Sequence, residues 1–290
     1  MINTFLNNVH EQSHFDRLVR LFGTFFYLAL GLQLSLMVGS AEELWGVDPI
    51  VSKQDEFFTW YNIFSYDFFK EHIWFTIGFY YLIILLGMFS IKPWISAFLN
   101  AILTYSFFFS VNSYTNAGHH LSIQLSLFFL FMLCFRIKKH PSQLDFLWNI
   151  FSNLGVNAGR VLVCLLYFIA AGYKLTGENW LSGNAFEYVV LVDEFSLPAL
   201  KSFFLNNEWV MVIATYFGLT YQVLFPFVVW FKKIKIPLLI AGAFFHLSIM
   251  FLHGLPGFGF VMICSYLLFL SNDQATLLSE KLGVSRLWVN

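Results

Sequence analysis

An all-α integral-membrane protein of about eight transmembrane helices is what this sequence predicts, and three observations carry the prediction. Hydrophobic residues make up 58% of the chain and charged ones 11%, against about 45–50% and about 25% in ordinary soluble domains. Mean hydropathy is +0.68 over 290 residues, so the apolar character is not that of a single anchor. The apolar runs are also unbroken. Residues 73–88 and 210–231 show no alternation, which excludes the alternating ten-residue strands of a membrane β-barrel.

The first fourteen residues are polar, and no short apolar stretch with a small-residue cleavage site follows a basic start, so no cleaved signal peptide is expected. Eight apolar segments follow, at 15–38, 73–90, 94–111, 119–135, 160–174, 210–231, 237–253 and 258–271. Several fall short of the ~20 residues of a perpendicular span. The fifth is the shortest, and is expected to tilt or to be shielded by its neighbours. Loop 41–71 carries Trp45, Trp60, Tyr61 and Tyr66, which suit one or two helices on the membrane surface. Segment 196–209, with Pro198 near its start, has the same character. Residues 141–157 read as a linker containing a short surface helix at 143–151. The tail after Asp273 is amphipathic through Leu277, Leu278, Leu282 and Leu287, and is expected along the inner face. No fixed-period repeat is visible.

Charge gives the orientation. In an eight-span arrangement twelve of the sixteen Lys and Arg residues fall on one side, and only Lys53, Lys70, Lys174 and Lys201 fall on the other. The positive-inside rule then puts both termini in the cytoplasm. The opposite side receives twelve of the seventeen acidic residues, the two long loops, and His72, His119, His120, His246 and His253. Function is therefore expected to face outward. The net charge of −1, with no long basic cluster, gives nucleic acid no support as a partner. Cys134, Cys164 and Cys264 lie in apolar runs without CxxC spacing, which points away from a disulfide framework or a zinc site.

The stretch with the most chemistry is 161–188, an apolar helix that ends on Lys174 and breaks into a glycine-punctuated segment with Trp180, Glu187 and Tyr188. A lysine in lipid costs roughly 2.5–3.5 kcal/mol at a helix centre on insertion scales. Lys174 has two readings: its ammonium snorkels to water along its own stem, or it serves a site. His119 and His120 open the fourth span at GHHLSI, about 100° apart on a helix, so one of them faces the bundle. His246 and His253 are two turns apart and share a face. His246 lies about 10 Å deeper, where a hydrogen-bond partner is required. No HExxH, HxxxH or carboxylate-rich spacing supports a metal. No P-loop, GxGxxG or GxSxG is present.

At GYKLTGENWLSGNAFEY, with FHLSIMFLHGLPGFGFVM downstream and GHHLSI upstream, the chain resembles the HTTM family. These are bacterial membrane proteins similar to the transmembrane domain of vitamin K-dependent gamma-carboxylase. The similarity extends from Phe15 to Ser271. It implies a bacterial inner-membrane enzyme that binds a lipid-soluble quinol, menaquinol or vitamin K-like, in a pocket open to the extracytoplasmic side. Lys174 and His119 would be the proton-transfer pair, and His120, Trp180, Glu187, Tyr188, His246 and His253 would line the pocket. A periplasmic protein or peptide would be the acceptor. The carboxylase has two lysines before leucine and uses the second. With Trp180 fixing register, Lys174 takes the first place and Leu175 the second. The role passes to Lys174 only if the helix end is wound differently by one residue. The carboxylase's large lumenal domain has no counterpart after the eighth span. A second function class stays open: a non-catalytic scaffold subunit or small-molecule carrier, in which Lys174 bridges Glu187 or Glu178 and the histidines are satisfied core residues.

Overall fold

The computed structural model describes residues 15–50, 62–133, 145–193 and 196–288, and these fold into helices with no strand among them. In chain order the α-helices are α1 Asp16–Met37, α2 Ala41–Trp45, α3 Asp67–Glu71, α4 Ile73–Met88, α5 Pro93–Phe109, α6 Ala117–Met132 and α7 Asp145–Leu175. They continue as α8 Glu178–Leu181, α9 Ala185–Leu191, α10 Pro198–Leu205, α11 Glu208–Val228, α12 Lys232–Leu252, α13 Pro256–Tyr266 and α14 Asn272–Lys281. The polar start 1–14, Trp60, Tyr61, Cys134 and the basic residues Arg136, Lys138 and Lys139 lie outside the described residues.

Four stretches are long and apolar enough to cross a membrane: Asp16–Trp45, Trp148–Leu175, Glu208–Val228 and Lys232–Leu252. Ile73–Met88, Pro93–Phe109, Ala117–Met132 and Pro256–Phe269 are apolar but shorter. At 1.5 Å per residue a 16-residue helix covers about 24 Å, short of a hydrocarbon core of about 30 Å.

The fifth apolar segment differs from expectation. It is the second half of the longest helix, the 31-residue α7, so from residue 145 onward neither a linker nor a separate surface helix exists. The polar residues that suggested a linker are used in packing. Ser152 Oγ donates to the Met132 carbonyl at 2.8 Å, and Asn157 Nδ2 donates to the Asn153 carbonyl at 2.9 Å. Gly155 lies so close to the Met132 backbone that a β-carbon there would collide with it. Polar groups satisfied by neighbouring helices do not interrupt a helix in lipid.

The chain divides into two compact units, one of Met1–Gly159 with Leu267–Asn290, the other of Arg160–Tyr266, and α7 contributes to both. In the first unit Leu18, Phe22, Phe26 and Leu30 of α1 are fully buried, and α4 and α14 pack on this helix. Single polar pairs pin the helices together. Ser122 Oγ donates to Gln33 Oε1 at 2.8 Å, Tyr80 and Thr104 share a hydrogen bond of 2.6 Å, and Asn100 Nδ2 donates to Ser126 Oγ at 3.2 Å. The tail returns to the start of α1. Asn272 Oδ1 accepts from the backbone N–H groups of Arg17 (3.1 Å) and Leu18 (3.2 Å), and the Trp288 indole donates to Thr24 Oγ1 at 2.9 Å. Two of the first N–H groups of α1, which no helix can satisfy internally, are thus capped from the far end of the chain.

In the second unit α8, α9 and α10 pack along the first part of α11. The Phe186 N–H donates to Thr215 Oγ1 at 3.0 Å, and Tyr216 Oη donates to the Leu181 carbonyl at 2.9 Å. α12 and α13 form a hairpin whose turn passes through Gly254 at φ +63°, a left-handed conformation that glycine adopts without a β-carbon penalty. Gly259 lets α13 settle against Met250 and the His246 carbonyl.

Candidate functional site

The second unit holds most of the chemistry-bearing residues. Lys174 stands one residue from the end of α7 and is half-buried. Its Nζ donates to Gln222 Oε1 at 2.6 Å and lies 4.4 Å from the centre of the Trp180 ring. Such a cation–π contact contributes about 0.5–1 kcal/mol when exposed and about 2 when desolvated. Gln222 is buried in α11, fourteen residues from Glu208 and six from Val228. It therefore sits about 21 Å along the helix from one end and about 9 Å from the other. The lysine stem reaches toward the interior of α11.

The Lys174 ammonium meets no carboxylate within ion-pair range among the described residues. Lys70 pairs with Asp67 at 3.5 Å and Lys201 with Asp193 at 2.7 Å. The Lys201 ammonium holds the exposed Asp193 carboxyl below the usual carboxylate range, through its hydrogen bond first and its charge second. Glu178 is exposed and Glu187 half-buried, and neither bridges Lys174. The expected salt bridge from Lys174 to one of these glutamates is thus absent, because α8 turns Glu178 outward and the lysine stem runs to α11 instead.

His246 is 1% exposed. Its Nε2 and the Tyr167 hydroxyl are 2.6 Å apart, and the Tyr167 hydroxyl also bonds that of Tyr266. Tyr221 Oη lies 3.2 Å from Tyr266 Oη and 3.3 Å from the Leu238 carbonyl. One polar cluster thereby joins α7, α11, α12 and α13. Gly242 makes room for it, since a β-carbon there would meet the Tyr221 and Tyr266 hydroxyls. Nδ1 of His246 has no hydrogen-bond partner among the described residues. His253, expected on the same face, is less buried and packs edge-on against Phe186 at 5.4 Å. Tyr188 is 55% exposed.

His119 and His120 belong to the first unit. His119 is buried at the third position of α6, where Nδ1 accepts the Asn116 backbone N–H at 3.1 Å while the Asn116 side chain accepts from the helix in return. Phe108 packs edge-on to its ring at 4.7 Å. A neutral imidazole that accepts at Nδ1 carries its proton on Nε2, so this histidine enters any chemistry as a hydrogen-bond donor. His120 is exposed, with Nε2 3.4 Å from Thr115 Oγ1. Adjacent histidines do face differently, and the first is the buried one.

Lys174 and Trp180 were legible as neighbours because a short break separates them. Gln222, Tyr167, Tyr221 and Tyr266 were not, although a signal existed. Each is a polar side chain inside an apolar run, and in lipid such a group must turn toward a partner. No group of three or more His, Cys, Asp or Glu side chains gathers among the described residues, and Cys164 and Cys264 are free and buried. Comparison with protein-family models, with curated proteins and with solved structures gives no match to this chain.

Proposed function

We propose that this chain is a multi-pass protein of a bacterial inner membrane with cytoplasmic termini. On this reading the four shorter apolar helices complete eight spans with the four long ones. It is an HTTM-type enzyme in which a lipid-soluble quinol, of the menaquinol or vitamin K type, binds beside Lys174. Lys174 takes a proton from the ligand, and Gln222 and Trp180 hold the amine in place. A periplasmic protein or peptide is the acceptor of the modification. The motifs at GHHLSI, GYKLTGENW and FHLSIM support the family.

One observation carries the site: the Lys174 ammonium turns inward onto Gln222, with no carboxylate in ion-pair range among the described residues to keep it charged. An amine acts as a base only in its uncharged form, and a counter-ion would oppose that form. A scaffold reading called for a Lys174–Glu bridge, and that pair is not formed.

Two substitutions test the proposal. Lys174→Arg keeps the charge but cannot give up its proton, so it is expected to abolish complementation of a deletion strain while the protein still accumulates. Lys174→Met keeps an apolar stem without the amine, and should be equally inactive while the protein still accumulates. Full complementation by the arginine variant would end the assignment of Lys174 as a base.

A further inference from the structure

Charge is segregated along the second unit. Its five acidic residues, Glu178, Glu187, Asp193, Glu194 and Glu208, all fall between 178 and 208, and no Asp or Glu occurs from 209 to 272. Glu208 opens the 21-residue α11, so about 30 Å of helix separates it from the turn that leads into α12. Lys232, Lys233 and Lys235 stand at the start of α12, whose first turn holds no acidic residue. No carboxylate lies within ion-pair range of these three among the described residues, whereas Lys201 has Asp193 at 2.7 Å. The connecting turn is short. Val229 N–H donates to the Phe225 carbonyl and Phe231 N–H to the Val228 carbonyl, both at 3.1 Å. The lysines therefore sit where two candidate spans end together, with no loop to carry them away. Trp230 and Phe231 in the turn are exposed. The Trp230 indole N–H already donates to the Pro226 carbonyl at 2.7 Å, so what this ring presents to its surroundings is apolar.

We infer that the α11–α12 turn binds an anionic phospholipid, with the Lys232, Lys233 and Lys235 ammonium groups on the headgroup and Trp230 and Phe231 against the glycerol and upper acyl chains. Three positive charges at one end of the unit have no offset within it, because the carboxylates at the other end lie well beyond a Debye length of about 8 Å. The counter-charge must come from outside the unit. A soluble anion would use the ammonium groups and leave the rings in water. A phospholipid uses both, since aromatic rings favour the membrane interface and lysine stems lie along apolar surface while their ends reach polar groups. A zwitterionic lipid carries its own cation and leaves the three charges uncompensated, so the patch selects lipids with net negative charge. The inference lies apart from the quinol reading and does not depend on it, since none of these residues belongs to the Lys174 site.

The test is native mass spectrometry of the full chain in a non-ionic detergent, titrated with phosphatidylglycerol or with phosphatidylcholine. The unaltered protein should bind its first phosphatidylglycerol at least about tenfold more tightly than phosphatidylcholine. Each of Lys232→Gln and Lys233→Gln should lower phosphatidylglycerol affinity about fivefold, and the triple variant with Lys235→Gln about a hundredfold, from the usual contribution of a basic residue near an anionic surface. Phosphatidylcholine binding should not change in any of them. The triple lysine-to-arginine variant keeps the charges and should bind like the unaltered protein. Lys281→Gln, which removes an exposed lysine of the first unit, should also have no effect. Lys232 and Lys233 are exposed, so the two single glutamine variants carry the test should the triple one fail to fold. Equal affinity of the unaltered protein for the two lipids would overturn the inference, as would undiminished phosphatidylglycerol binding in the single glutamine variants. Displacement of the lipid by millimolar inorganic phosphate would also overturn it, because the lysines would then form a site for free anions.

Discussion

Gln222 determines how Lys174 is held. A charge-assisted hydrogen bond of this kind contributes roughly 1.5–3 kcal/mol, and without it the ammonium keeps, among the described residues, only the Trp180 ring. Gln222→Leu should therefore destabilise the protein by about that amount in thermal or denaturant unfolding. Adding Lys174→Met should recover most of the loss, because it removes the charge left unpaired. Losses that simply add would show that the two side chains do not depend on each other. Gly242 offers a second test. Gly242→Ala drives a methyl into the Tyr221 and Tyr266 hydroxyls and should cost about 1–3 kcal/mol, as overpacking does. Gly172→Ala on α7 meets open space, and should be neutral or stabilising by up to about 1 kcal/mol, as helix propensity favours alanine. At this scale the sequence shows which residues carry chemistry and hides which of them meet. Lys174 and Trp180 announce themselves by charge and by the loop they share. That Lys174 prefers Gln222 to Glu178 depends on the rotation of α11 about its axis, which an all-apolar surround leaves unmarked.

Helices were legible as apolar runs, and their ends less so. α4 and α6 fall within a few residues of the expected segments, because turn residues such as Asn116 and Ser90 stand outside them. α7 was misread because polarity in a run normally signals exit from lipid, while Ser152 and Asn157 satisfy themselves on nearby carbonyls. The cap on α1 was invisible for another reason: Phe15 at its N-cap position offers no side-chain bond, and the acceptor comes from Asn272. Asn272→Ala should cost about 1 kcal/mol, the usual effect of losing a helix cap, measurable as faster amide exchange in the first turn of α1. Unchanged exchange at Arg17 and Leu18 would show that water caps the helix equally well.

Across the whole molecule, lipid is the organising solvent. Phe244 and Phe251 of α12, Ile213 and Phe227 of α11, and Phe168 of α7 are all exposed apolar side chains, as expected of surfaces that face hydrocarbon. Buried polar side chains such as Tyr80 with Thr104 and Ser122 with Gln33 sit in pairs, because no water is present inside a bilayer to satisfy them singly. The same solvent argument makes Lys174 the exception on which the functional account rests. The proposed topology makes it an outward-side lysine, yet its ammonium is turned onto Gln222. The most direct measurement is amine labelling of intact spheroplasts with a membrane-impermeant reagent, followed by peptide mass spectrometry. Lys70 and Lys201, which the proposed topology puts on the extracytoplasmic side, should be labelled, whereas Lys232 and Lys233, which it puts on the cytoplasmic side, should not. Lys174 should stay unlabelled with them, and should react only with a membrane-permeant reagent. Labelling of Lys174 as fast as Lys201 by the impermeant reagent would contradict the account, because it would place the ammonium in bulk water.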